Sequence, residues 1–278
     1  MKIAFSPCPN DTFVFHAWVH GLIPGAPALD VQYADIDVTN RWAAEPGNHP
    51  LDVLKISYAA LPWVLSEYRL IPCGGALGRG NGPLVLAASA ASPTDLAGKR
   101  VAVPSERSTA YLLFRLWAAR HVPGGLGEIV VKPFHEIMPA VRDGKIDAGL
   151  VIHEARFTYP EYGLSLVADM GVWWESDTGL PIPLGAIIAR RHLDRDRIAS
   201  WIRQSVEYAW AHPEASRTYV LAHAQEMNPA VAQAHIDLYV NAFTANLGEE
   251  GYAAIDALLG RAMREGLVPS FDLAALRD

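Results

Sequence analysis

Cysteine is almost missing from this 278-residue chain: Cys8 and Cys73 are the whole complement. Two thiols so far apart exclude a disulfide framework and a thiolate zinc site, and a reduced state is the simpler assumption for both. Positive charge is also in short supply, with 23 Lys and Arg against 30 Asp and Glu and a net charge of −7. No basic stripe is present, which excludes nucleic acid as a partner. No stretch approaches the ~20 uninterrupted apolar residues of a membrane span, so no membrane partner is expected. Pro7, Pro9, Asn10 and Asp11 interrupt the N-terminal apolar start before a signal-peptide core of about 7–15 apolar residues can form, and a soluble, cytoplasmic chain is expected. Internal repeats and low-complexity tracts are lacking too. What is there is a chain of 51% hydrophobic and 19% charged residues, the composition of a well-buried globular protein. Its length exceeds the usual single core, so two lobes are expected.

Strand and helix signals alternate from the start. Residues 2–5 read as a strand, and Ser6-Pro-Cys-Pro-Asn-Asp-Thr12 as a turn into a helix ending at Gly21. Asn10 or Asp11 is a natural N-cap there; the same strand-to-helix corner also suits an anion held by backbone N–H groups. Residues 31–36 form a second strand candidate, 39–44 a short helical piece and 46–50 a loop. Asp52-Val-Leu-Lys-Ile-Ser-Tyr58 is a third strand, with Lys55 among apolar neighbours. Either an anionic ligand partners that lysine, or it snorkels out at a strand edge. After a helix over 59–68, the glycine-dense run Cys73-Gly-Gly-Ala-Leu-Gly-Arg-Gly-Asn-Gly-Pro83 lacks the Gly-Lys-Ser/Thr of a phosphate loop and opens no dinucleotide-binding helix. Its glycines point to close backbone packing or a hinge. Residues 83–88 make a strand that crosses out of the first lobe.

The second lobe begins near Thr94. Residues 101–103 are a strand, Ser105-Glu-Arg-Ser-Thr109 a polar turn and 110–120 an amphipathic helix. Ser108 or Thr109 caps that helix, or the free amides there receive a carboxylate or ring hydroxyl. A strand over 129–132 and a helix over 135–142 lead to the apolar run 148–152. Such a run suits a strand buried on both faces of a parallel sheet, and ligands of such sheets sit beyond the strands' carboxyl ends. His153 follows the run directly and is either a hydrogen-bonded structural group or a catalyst facing that crevice. Residues 154–159 look like a first helical turn stopped by Pro160. A strand over 164–168, a loop over 173–183 and a return strand over 184–189 follow. Beyond Arg190 the pattern is helical. Ile198, Ile202, Val206 and Trp210 mark one face of a helix over 194–211, with further helices over 213–225, from Pro229, and over 251–266. Met227 and Met263 read as core.

The expected architecture is α/β with two lobes, 1–87 with 189–278 and 88–188. Each lobe is a mixed, mostly parallel sheet flanked by helices, with a cleft between them.

The segments Phe5-Ser-Pro-Cys-Pro-Asn-Asp-Thr-Phe13, Lys55-Ile-Ser-Tyr-Ala-Ala60, Gly75-Ala-Leu-Gly-Arg-Gly80, Thr109-Ala-Tyr111, Ile152-His-Glu-Ala-Arg-Phe-Thr-Tyr-Pro160, Trp173-Trp-Glu175 and Leu180-Pro-Ile-Pro-Leu-Gly185 occur in this order. Together they span essentially the whole chain. In them the chain resembles the 1,4-dihydroxy-6-naphthoate synthase family of the futalosine route to menaquinone. The resemblance implies a periplasmic-binding-protein type II fold used as an enzyme. It implies a carbon–carbon lyase that converts cyclic dehypoxanthine futalosine to 1,4-dihydroxy-6-naphthoate and a small sugar-derived keto fragment, without metal or organic cofactor. His153 matches the family's proton acceptor. Lys55, Ile56 and Ser57 match one substrate-binding segment, and Thr109 with the backbone of Ala110 matches the other. Asn10 and Ser108 join them as substrate-binding candidates. Ser105 and Ser108 stand where the family pattern has glycine and threonine; Ser108 keeps the hydroxyl, whereas Ser105 leaves the turn geometry open.

The residue types fit that chemistry, because a neutral imidazole with a reference pKa of about 6.5 accepts a proton at neutral pH better than an ordinary carboxylate. A solute-binding protein or a ligand-sensing domain for a carboxylated small molecule would use the same clamp. Against the first stand the missing export and lipid-anchor signals and the histidine facing the cleft; against the second, the missing helix-turn-helix segment. Oligomeric state is not legible.

Overall fold

The computed structural model describes residues 1–45, 47, 50–153, 155–224 and 228–278. The first stretch runs β1 (Lys2–Phe5), α1 (Pro9–Val19), β2 (Asp30–Tyr33), α2 (Ile36–Ala44), β3 (Val53–Ser57) and β4 (Tyr68–Gly78). Next come β5 (Leu84–Ala87), β6 (Val101–Val103), α3 (Thr109–His121), β7 (Ile129–Val131), α4 (Phe134–Arg142), β8 (Ala148–Val151), α5 (Ala155–Thr158), β9 (Ser165–Asp169) and α6 (Met170–Thr178). The last stretch is β10 (Ile182–Arg190), α7 (Arg195–Ala211), α8 (Arg217–His223), α9 (Pro229–Tyr239), α10 (Ala242–Ala245) and α11 (Gly248–Arg264).

These elements form two units. Met1–Gly78 with Pro183–Asp278 make one, and Arg79–Ile182 the other. The boundaries follow hydrogen bonding. Leu84–Ala87, expected to cross out of the first lobe, pairs on both edges inside the second sheet. The return strand pairs from Gly185 onward with β3 in the first sheet. The dividing points therefore fall at 78/79 and 182/183 rather than near 88 and 189.

The first sheet has the order β2-β1-β3-β10-β4 and the second β7-β6-β8-β5-β9. In the first, β1 is parallel to β2 and β3, while β10 runs antiparallel to β3. In the second, β6 is parallel to β7 and β8, while β5 is antiparallel to β8 and β9. Both sheets are mixed, and in both the parallel strands share one carboxyl edge, where the connections to helices emerge. Phe5, Phe15, Trp18, Val53, Ile187, Ile202 and Val206 belong to the first unit's core. Leu84, Leu86, Ala102, Ile137 and Val151 belong to the second's.

Several elements depart from their sequence signals. The helix expected over 59–68 is a 3-10 turn, Tyr58–Trp63, with Pro62 inside it. Proline removes an N–H and blocks continuation. After a turn over 64–67, the eleven residues Tyr68–Gly78, which take in the first half of the glycine-dense run, are β4. The loop expected over 173–183 contains most of α6, because Asp169 Oδ1 accepts from the N–H groups of Gly171 and Val172 and Gly179 closes the helix at φ 72°. Both are standard helix-end devices. On α7, Ile198, Ile202 and Val206 are buried, but Trp210 is 42% exposed and Ala209 takes its inward place. A strict fourfold spacing advances about 40° per step on a 3.6-residue helix, so the fourth member rotates out of the face. The helix expected over 213–225 is a 3-10 turn, Pro213–Ser216, followed by α8. Met263 is half-buried. Glu154, Gln225 and Met227 lie outside the described residues. Cys8 and Cys73 are buried and not joined in a disulfide, and burial pushes the Cys73 thiol up to about 12.

Candidate active site

In the first unit the site residues converge at the carboxyl edge shared by β1 and β3, whose registers align Ile3 with Val53 and Ala4 with Leu54. Helix α1 starts at Pro9, with Cys8 as its N-cap and no side-chain cap. Asn10 and Asp11, expected as caps, sit inside the first turn instead, because proline's fixed φ favours the first helical position. Their side chains are thereby released for longer-range bonds. Lys55 is 3% exposed, and its Nζ pairs with the equally buried Asp11 carboxylate, through Oδ1. Asn10 Nδ2 donates to the same Oδ1 at 2.8 Å. That bond fixes the amide's orientation and turns Asn10 Oδ1 toward His235 Nε2 at 3.0 Å. Since Oδ1 can only accept, Nε2 of His235 carries the hydrogen. The result is a buried chain Lys55–Asp11–Asn10–His235 that joins β3, α1 and α9. Asp11 and His235 are the members sequence reasoning did not assign; Asp11 had a signal in the Pro-Asn-Asp-Thr corner, His235 had none.

The neighbouring backbone is held as firmly. The Ser57 N–H donates to Asn40 Oδ1 at 2.8 Å, and Asn40 Nδ2 donates to Ser57 Oγ at 3.1 Å. Ile56 is fully buried and registers with Ala186 on β10. A β-carbon added at Gly185 would lie 2.7 Å from Cε of Lys55, so glycine at that position leaves room for the lysine stem.

In the second unit, β6 and β8 lie side by side and parallel, Val101 opposite Ala148 and Ala102 opposite Gly149. The turn after β6 and the residues after β8 therefore emerge at the same edge, which brings Ser108, Thr109 and Ala110 to the side of the sheet that carries His153. Ser108 is the N-cap of α3: its Oγ accepts from the Tyr111 N–H at 3.1 Å and donates to the Ser105 carbonyl at 2.9 Å. Ser105 Oγ accepts from the Arg107 N–H at 3.3 Å, so serine at 105 makes a bond of its own within the turn. Ser108, Thr109 and Ala110 are buried, and α3 directs its N-terminal dipole to this edge.

His153 is half-buried and has φ 56°, the one non-glycine residue with positive φ among those described. The left-handed conformation costs an L-residue roughly 1–2 kcal/mol, and such outliers concentrate at functional sites. Its ring lies 5.3 Å from that of Phe134, inclined by 60°. The His153 carbonyl accepts from the Arg156 N–H at 3.3 Å. Arg156 in turn donates to the Gly82 carbonyl at 2.7 Å and to Asp169 Oδ2 at 2.5 Å. The segment after His153 is thus clamped to the strands beside it. Asn10 and Lys55–Ser57 belong to one unit, and Ser108–Ala110 and His153 to the other.

Among the described residues, no group of His, Cys, Asp and Glu is arranged to hold a metal ion, and no helix is long and apolar enough to cross a membrane.

The strand orders and the edge-sited candidate residues define a class: two-unit α/β proteins of the periplasmic-binding-protein-like fold. The alkanesulfonate-binding protein SsuA of Xanthomonas axonopodis has this fold, with a TM-score of 0.73 at 13% identity over 97% of this chain and 94% of its own. Within the class, the 1,4-dihydroxy-6-naphthoate synthase of Streptomyces coelicolor is 68% identical, covering 99% of this chain and 97% of the relative. The 1,4-dihydroxy-6-naphthoate synthase of Thermus thermophilus is 48% identical, covering 96% and 95%. The menaquinone biosynthesis family model matches residues 1–264. The chain belongs to this family and is an enzyme of menaquinone biosynthesis.

Proposed function

We propose that the enzyme converts cyclic dehypoxanthine futalosine to 1,4-dihydroxy-6-naphthoate and a small sugar-derived keto fragment, as a cytoplasmic carbon–carbon lyase that needs no cofactor. His153 is the general base. The observation that carries this reading is the left-handed His153 at the carboxyl end of β8, on the edge where α3 begins. A half-buried imidazole packed against Phe134, on a backbone whose carbonyl accepts from the Arg156 N–H, is positioned before substrate arrives, as proton transfer requires. It removes a hydroxyl or carbon-bound proton of the sugar-derived ring and starts a cleavage that aromatisation pulls forward. The α3 N-terminus, with Ser108, Thr109 and the Ala110 backbone, binds a polar substrate group through N–H donors and dipole. Lys55, Ile56, Ser57 and Asn10 form the other binding segment; since Lys55 is paired with Asp11, it contributes a locally neutral pair rather than a bare positive charge. The relatives named as 1,4-dihydroxy-6-naphthoate synthases support the product assignment.

The test is incubation of the purified protein with cyclic dehypoxanthine futalosine and chromatographic detection of the naphthoate. Stoichiometric naphthoate and keto fragment are expected. Substrate that binds but returns unaltered would favour a solute-binding role instead.

A further inference from the structure

The glycine-dense run before β5 holds a buried residue that the proposed chemistry has not used. Asn81 is fully buried, and neither Nδ2 nor Oδ1 has a hydrogen-bond partner among the described residues. The buried Asn10 and Asn40 are different: each is bonded through both amide atoms. A buried amide left unsatisfied on both sides is destabilising, and native proteins keep such groups rarely.

Its backbone is nonetheless held on both flanks. The Gly80 N–H donates to Glu175 Oε1 at 2.7 Å, and Arg79 Nη2 donates to the Gly179 carbonyl at 3.0 Å. The Gly82 carbonyl accepts from Arg156 Nη1 at 2.7 Å, and the Pro83 carbonyl from the Met170 N–H at 2.9 Å. A β-carbon added at Gly82 would lie 2.0 Å from the Gly171 nitrogen, so this loop and the start of α6 meet backbone to backbone. Antiparallel pairing of Leu84 with Val151 sets the residues before β5 alongside those after β8. Asn81 thus occupies the same sheet edge as His153, and Arg156 ties the two segments together.

We infer that Asn81 is a further substrate-binding residue, whose carboxamide engages a hydroxyl of the sugar-derived ring beside His153. This rests on the function proposed above. A carboxamide offers donors and an acceptor in one plane, which matches a hydroxyl that both gives and receives a hydrogen bond. Being neutral, it adds no charge next to the base. The unsatisfied amide is a cost that the bound hydroxyl offsets, and because Asn81 is fully buried the packing over it must open for that contact.

The test compares the parent with Asn81→Leu, a near-isosteric apolar replacement, and with Asn81→Ala. Three quantities are read: the unfolding midpoint without ligand, the midpoint rise with saturating cyclic dehypoxanthine futalosine, and kcat/KM. Asn81→Leu should unfold no lower than the parent, because an unpaired buried polar group has been removed. Its substrate-induced rise should shrink, and kcat/KM should fall about 10-fold or more. Asn81→Ala should lose kcat/KM similarly. A ligand-free midpoint several degrees below the parent in Asn81→Leu, or an unchanged substrate-induced rise and kcat/KM, overturns the inference. Should the parent bind the substrate without converting it, the catalytic reading fails, and the midpoint rise alone decides for or against Asn81. Should the parent neither bind nor convert it, both fall.

Discussion

Removing the ammonium of Lys55 should destabilise the first unit severely. Lys55 and Asp11 have side chains 3% exposed, so neither charge is solvated when its partner is lost. In Lys55→Met the Asp11 carboxylate would keep a single neutral donor, Asn10 Nδ2. Breaking such a buried pair from one side costs roughly 3–5 kcal/mol, whereas an exposed pair is worth about 1 kcal/mol or less. At about 2–4 °C per kcal/mol for a large domain, the midpoint should fall by roughly 6–20 °C. Asp11→Asn should cost a comparable amount by stranding the ammonium. The double variant should recover much of the loss, giving a coupling energy of at least about 2 kcal/mol in the cycle. Equilibrium urea unfolding is the assay, followed by intrinsic tryptophan fluorescence, to which Trp18 in the first unit's core contributes. A loss below about 1 kcal/mol for Lys55→Met, or strict additivity of the two substitutions, would refute a dry, mutually dependent pair.

His153 carries a backbone cost that a variant can expose. At φ 56°, alanine retains roughly 1–2 kcal/mol of left-handed strain, while glycine avoids it but gives back about 0.4–1 kcal/mol of unfolded-state entropy. His153→Gly should therefore be more stable than His153→Ala by roughly 0.5–1 kcal/mol in calorimetry, and a less stable glycine variant contradicts the strained geometry. His16 gives a pH signature. Burial, and then the neighbouring His20, hold its pKa below the ordinary 6.5. The unfolded chain thus binds this proton more readily, so the stabilisation is present above about pH 6.5 and is lost as pH falls toward the lower folded value. His16→Gln should flatten the midpoint-versus-pH curve over that interval, and an unchanged slope would count against the assignment.

Much of the fold was legible because its signals are local. Short, mostly apolar stretches marked β1, β3 and β8, and α7 showed its inward face through Ile198, Ile202 and Val206. Elements settled by distant partners were not. The first half of the glycine-rich stretch became part of an eleven-residue strand only through its place beside β10, and the run around Trp173 became a helix through the Asp169 cap just before it. The site divides the same way. A strand-end histidine is visible as a pattern, and resemblance assigned its role, but nothing local to His153 announces its left-handed backbone. A lone lysine within a strand shows that a partner is needed without showing that Asp11, 44 residues away, supplies it. Asn81 stayed hidden because an unsatisfied amide is a property of packing, and no spacing rule encodes one.

Single-turnover measurement with cyclic dehypoxanthine futalosine, parent against His153→Ala, bears most directly on His153 as the base. The rate of naphthoate formation should fall by roughly 10²–10⁴-fold, the usual worth of a positioned acid–base group, while the substrate still binds. A variant that turns over within a few fold of the parent would mean that another group takes the proton.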